Sequence, residues 1–269
     1  MKSIKLNILI TLLTSIFILL SCGPSNEEIA RQRFQIAQEY YQNKEFNNAK
    51  LVLDSIIEEQ EGEIEFVTRA KDLIRTINIE EQKNNIEVLD SLLKEKEKEL
   101  EPLMKNFIIE DEYHKKVLVH RRQKTVNSYN RTYLKSHLDL EGNFYISSHY
   151  CGPNYINHTH IKVYNKGKSV TSEVVPFDNF ENRHFDDGGN YWEIVNYKDG
   201  KDNGIIDFIA ENVDSPLKVM YIGKKNYYIL MEKFDKEAIR DGYEISFILN
   251  DVTKLKEELK NSKKRLSTL

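Results

Sequence analysis

The chain has 269 residues, 30% of them charged, and a formal charge of −4. That mildly acidic balance argues against nucleic acid as a partner, because phosphate binding needs a concentrated basic surface. Its two cysteines, Cys22 and Cys151, are too few for a disulfide framework.

Lys2 and Lys5 precede Leu6–Leu20, an uncharged and almost wholly apolar stretch. At about 15 residues it falls short of the roughly 20 needed to span a bilayer. A basic start and a short apolar core form the pattern of a secretory signal peptide. Leu19-Leu20-Ser21-Cys22 then places a branched aliphatic three residues before a cysteine and a small residue immediately before it. This segment resembles the lipobox of bacterial lipoproteins. The resemblance implies cleavage after residue 21, lipidation of Cys22 and attachment in the cell envelope. Several acyl chains, at about 0.8 kcal/mol per buried CH2, would make that attachment effectively permanent. Gly23 is no obvious retention signal, so the outer membrane is the expected destination. An uncleaved anchor with an incidental cysteine is the competing reading. Residues 1–21 are therefore expected to be a signal peptide and 22–26 a lipidated tether. Cleavage would remove Lys2 and Lys5 and take the charge from −4 to −6. Cys151 is expected to be a buried small hydrophobe rather than a nucleophile.

Residues 27–78 are expected to be helical. Ala37, Tyr40, Phe46, Ala49 and Leu53 follow one another at helical spacing, with Asn43-Lys44-Glu45 placed for a turn. This pattern of small and aromatic residues resembles a tetratricopeptide hairpin, in which alanines let paired helices approach closely. The resemblance implies a groove for a peptide or protein partner. An ordinary helical hairpin would give the same spacing. Phe66, Ala70, Leu73, Ile74 and Ile77 have the periodicity of a further helix.

From 79 to 109 the apolar period becomes seven. Ile79, Ile86, Leu93, Leu100 and Phe107 recur, with Leu89 and Leu103 at the second core position. Residues 233–269 repeat the pattern through Ile245, Val252, Leu259 and Leu266, with Ile248 and Leu255. Two heptad helices predict an antiparallel pair, because neither can bury its seam alone. Gln82, Lys96 and Ser262 interrupt that seam, and Pro102 is expected to kink or restart the first helix.

Residues 110–232 switch to period two. Phe144, Ile146, Ser148 and Tyr150 alternate with Tyr145, Ser147, His149 and Cys151, as in a half-buried strand. Turn sequences at 141–142, 165–168 and 223–226 separate further strands. Ile205, Phe208, Ile209 and Val213 predict one short helix. The expected fold is therefore α+β: tetratricopeptide-like helices, a heptad helix, an antiparallel sandwich-like β domain, and a C-terminal heptad helix packing back on the first.

Chemistry-bearing residues are sparse. His158 and His160, two apart on an expected strand, would share a face, with His149 as a conceivable third metal ligand. No carboxylate or cysteine is fixed beside them in sequence, and core or surface roles compete. Asp199–Gly204 departs from a calcium loop, since Lys201 stands at a ligand position and Ala210 where the closing glutamate belongs. Asp186–Asn190 is expected to be a loop. Tyr150, Tyr155, Tyr191, Trp192 and Tyr197 could stack on sugar rings or simply pack a sheet. There is no nucleophile elbow and no glycine-rich phosphate loop. Cys22 alone is assigned a role, with no catalytic, cofactor or metal residue. The expected function is non-enzymatic: an envelope binding or scaffold module for a protein partner. The alternatives are a carbohydrate-binding module, marked by exposed coplanar aromatics, and a hydrolase built from distant residues, marked by clustered carboxylates and histidines.

Overall fold

The computed structural model describes residues 24–112 and 115–269. The expected signal peptide, Cys22 and Gly23 lie outside the described residues. Three helices open the described chain: α1 (Asn26–Gln42), α2 (Phe46–Glu59) and α3 (Ile64–Leu103). Ser25 caps α1 by accepting from the Glu28 amide at 3.2 Å, and Glu27 and Glu28 suit the positive helix end. Lys44 takes φ 63° in the turn between α1 and α2. Ala30, Ala37, Ala49 and Ala70 are fully buried in one cluster with Phe34, Leu53, Ile56 and Ile77. Alanines at those points allow close helix approach, while the larger side chains supply the buried area.

The strand-rich part contains β1 (Phe107–Glu112), β2 (Lys115–His120), a one-turn α4 (Thr125–Ser128), β3 (Tyr133–Asp139) and β4 (Phe144–Gly152). It continues with β5 (His160–Asn165), β6 (Lys168–Thr171), β7 (Asn182–Asp187), β8 (Asn190–Tyr197) and α5 (Ile205–Glu211). β9 (Lys218–Ile222), β10 (Tyr227–Leu230) and α6 (Lys233–Thr268) complete it. The strands form a six-stranded sheet, β1-β2-β3-β4-β8-β7, and a four-stranded sheet, β10-β9-β5-β6. Every pairing is antiparallel. The fold is thus α+β with antiparallel sheets. One buried cluster draws on Leu134, Ile146 and Val195 from the larger sheet, Ile161 and Val219 from the smaller, Ile209 of α5 and Ile239 of α6.

The chain divides into two compact units, residues up to Glu87 with Asn261–Leu269, and Val88–Lys260. Within the first, Asn85 Nδ2 donates to Ser262 Oγ at 2.9 Å, and Arg75 Nε donates to the Leu269 carbonyl. The polar interruption at Ser262 therefore has a partner. Within the second, Lys96 pairs with Asp251 at 3.5 Å and Lys256 with Glu97 at 3.2 Å. Leu100 and Leu103 pack on a cluster holding Ile245 and Leu249. In each unit α3 and α6 run antiparallel, as their heptads predict. The two ion pairs place Leu93 opposite the stretch 254–260, and both Leu93 and Leu259 are buried.

Three expectations are corrected. The heptad helix ends at Leu103 rather than 109, and Phe107 opens β1. Pro102 does not restart it: proline has no N–H to give the Lys98 carbonyl, the helix ends one residue later at Leu103, and a 3-10 turn (Met104–Asn106) follows. His158 precedes β5 instead of lying on it. Among the described residues no helix is long and apolar enough to cross a membrane.

Leu259→Asp places a charge in the buried seam and removes an apolar contact worth roughly 1.5–3 kcal/mol. Hydrogen exchange should quicken along the C-terminal half of α6 while the strand amides keep their protection. Unchanged exchange in α6 would contradict the pairing.

Candidate functional site

β4 presents two faces with different chemistry. On the inner face, Ser148 Oγ lies 2.8 Å from His158 Nε2, and His158 Nδ1 lies 2.6 Å from Glu193 Oε2. This is the serine–histidine–acid order of a hydrolase triad. All three side chains, however, are 0% exposed. Ser148 Oγ also bonds the Tyr197 hydroxyl at 3.0 Å. Glu193 further accepts from the amides of Ile156 and Asn157 at 2.7 Å and of His158 at 2.8 Å. Burial pushes its carboxyl up, but the bonds from the His158 ring and the His158 and Asn157 amides outweigh this and hold it below the ordinary range. A nucleophile must be reached by its substrate, and this one is sealed. The arrangement works as a clamp, joining β8 of the larger sheet to the loop that enters β5 of the smaller.

The outer face is different. Ser147 Oγ bridges His137 Nε2 at 2.7 Å and His149 Nε2 at 2.9 Å. The hydroxyl has one proton to give and two lone pairs to accept with, so it can donate to at most one of the two rings. Burial, reinforced by Lys135 and Arg183, holds His149 down to about 3. Burial and then Lys135 hold His137 well below its usual value. Two neutral rings are thus bound to one serine, and no carboxylate acts on His149.

Beside His149 a cleft of about 220 Å³ is lined by Tyr129, Tyr133, Phe185, Trp192 and Lys135. The strands set these rings in place: Tyr133 pairs with His149, Cys151 with Trp192, and Trp192 with Phe185, so all stand on one face. Phe185 and Trp192 are parallel within 5°, centroids 6.0 Å apart. Tyr129, whose hydroxyl donates to Asp187 at 3.0 Å, approaches Trp192 to 5.9 Å.

The histidines read from sequence as a possible ligand set are not brought together. His158 spends both nitrogens on Ser148 and Glu193, His149 bonds Ser147, and His160 Nδ1 bonds Thr159 Oγ1 at 3.0 Å. Among the described residues no group of three histidine, cysteine or acidic side chains could hold a metal. Asp202 in the 199–204 loop caps α5 through the Gly204 and Ile206 amides. Asp186–Asn190 includes the tight turn joining β7 to β8, where Gly188 and Gly189 take positive φ. Cys151 is half-buried, not enclosed, and burial pushes its thiol up. The clustered tyrosines separate, with Tyr150 and Tyr197 in the core and Trp192 on the outer face. Sequence reasoning missed Glu193, whose partners lie 35 to 37 residues away, and the serine between the two histidines. The alternation in β4 was the one signal that set Ser147 and His149 together.

No protein family, curated protein or solved structure matches this chain.

The depressed value of His149 fixes a pH dependence. Between 6.5 and about 3 the unfolded chain protonates this imidazole and the folded chain does not, so stability falls as pH drops through that window. His149→Gln should flatten the stability profile there, read by urea unfolding at a series of pH values. An unaltered profile would show that the ring titrates alike in both states.

Proposed function

We propose that this chain is a lipid-anchored protein of the bacterial cell envelope, held by Cys22, that acts by binding rather than by turnover. One contrast carries the reading. The only triad-like set among the described residues is sealed at 0% exposure, whereas the open cleft is lined by aromatic rings, the neutral His149 imidazole, Lys135 and Asp187. Binding sites are concave and largely apolar with a few placed polar groups, which describes that cleft. In this reading the helical unit is tetratricopeptide-like and receives a protein partner. The four fully buried alanines support it, together with the turn at Lys44. The strand-rich unit is sandwich-like, supported by a core drawn from both sheets.

A second reading, a carbohydrate-binding module, is favoured by the parallel Phe185 and Trp192 rings. It departs from a simple coplanar platform, since Trp192 is 7% exposed while Phe185 is 43% exposed.

In a bacterium that processes lipoproteins, the full chain should incorporate labelled palmitate and sediment with membranes, and Cys22→Ala should do neither. Equal labelling of both would overturn the anchor. Affinity purification of the detergent-solubilised chain should recover a stoichiometric envelope protein. Recovery of this chain alone would overturn the scaffold role.

A further inference from the structure

Two residues that line the outer cleft carry buried polar atoms that the fold leaves without partners. Ser128 is 4% exposed and Trp192 7%, and neither Ser128 Oγ nor Trp192 Nε1 has a hydrogen-bond partner. Both residues line the same cleft. Buried polar groups are nearly always paired, so each such exception asks what completes it. An indole N–H can only donate, while a serine hydroxyl donates and accepts. The missing occupant therefore carries acceptors as well as a surface that suits aromatic rings.

We propose that this cleft binds a sugar ring bearing an acidic group, seated against Phe185 and Trp192 with its anion towards Lys135 and Arg183. The inference rests on reading the outer face as a binding surface and names the ligand class of that surface. Three observations select this ligand. The cavity, about 220 Å³, is smaller than the roughly 300–1,000 Å³ of drug-sized sites, which suits a single ring with the rest of a chain outside. A pyranose offers an apolar C–H face to the aromatic rings and a rim of hydroxyls to Ser128 and Trp192. A phenylalanine side chain would fill the volume but leave both polar groups unpaired.

The charge follows from the strand register. Lys135 lines the cleft, and Arg183 pairs across the ladder with Ile194, another of its lining residues. The carboxylate at the other end, Asp187, already accepts from the Tyr129 hydroxyl. Both Lys135 and Arg183 act on His149 in the sense of added positive charge, and no carboxylate acts on it in the opposite sense. The local field thus favours an anion, and it favours a neutral His149 that can hydrogen-bond without competing for that anion.

Trp192 is the only tryptophan in the chain, so its emission reports on this cleft alone. The test uses the full lipidated chain in detergent, titrated with trigalacturonic acid and, separately, with a neutral galactose trimer. The acidic trimer should change Trp192 emission saturably and bind at least about tenfold more tightly than the neutral one, a difference of about 1.4 kcal/mol. Added salt should weaken the acidic trimer selectively. Arg183→Gln should lower affinity for the acidic trimer about fivefold or more and leave the neutral one unaffected, whereas Phe185→Ala should weaken both. Far-UV circular dichroism of each variant checks that it folds. Equal affinity for the two trimers, or an Arg183→Gln protein that binds the acidic trimer normally, overturns the acidic assignment and leaves a binding cleft standing. No response of Trp192 to either trimer overturns the sugar itself, while co-purification of an envelope partner judges the broader binding role independently.

Discussion

A carboxylate taken out of water must have its lone pairs satisfied or it cannot stay ionised. Glu193 meets this demand by drawing a whole loop onto itself: three consecutive backbone amides and one imidazole converge on its two oxygens. Because Glu193 belongs to β8 and the loop leads into β5, satisfying one side chain also fixes where the smaller sheet begins relative to the larger. Ser148 and Tyr197 extend the network across β4 and back to β8. Apolar contacts supply most of the buried area in this core, but they are tolerant of sliding. The clamp is directional, and it sets the register that the apolar residues then fill.

That division of labour frees the other face of the larger sheet. With the inner residues of β3, β4 and β8 committed to the core, the outer residues of the same strands carry histidines, tyrosines, Trp192 and cations. The hydroxyl of Ser147 ties together two imidazoles that burial keeps uncharged. A row of neutral hydrogen-bonding groups beside stacked rings is suited to holding a ligand in place. The same residue types are therefore sealed in the core on one face and border an open cleft on the other.

Periodicity made much of the architecture legible. The period of two in 144–151 gave not only β4 but the identity of its two faces. The sevenfold repeat gave the antiparallel relation of α3 and α6, and even the role of Ser262 as an interruption that needed a partner. The failures have a common cause. Where β1 begins, at Phe107, the heptad continues in register, so a helical pattern and a strand offer the same apolar residue, and Pro102 decides between them. The site was less visible still. The two-residue spacing of His158 and His160 expresses only a shared face on an expected strand. The actual partners of His158 are Ser148 and Glu193, 10 and 35 residues away on other strands. Glu193 stands between Trp192 and Ile194 as an unremarked charge in a strand, and only pairing of β4 with β8 reveals that it points inward. Trp192 drew notice as an aromatic, but its placement opposite Phe185 depends on a ladder that sequence does not print.

Equilibrium urea unfolding of Glu193→Gln tests the clamp most directly. The amide keeps the shape of the carboxylate but loses its charge and turns a donor towards backbone N–H groups that have no other acceptor. Breaking a buried pair from one side costs roughly 3–5 kcal/mol, and the clamp predicts a loss of that size. A loss below about 1 kcal/mol, ordinary for a surface position, would contradict it and show that the apolar core sets the register of the two sheets unaided.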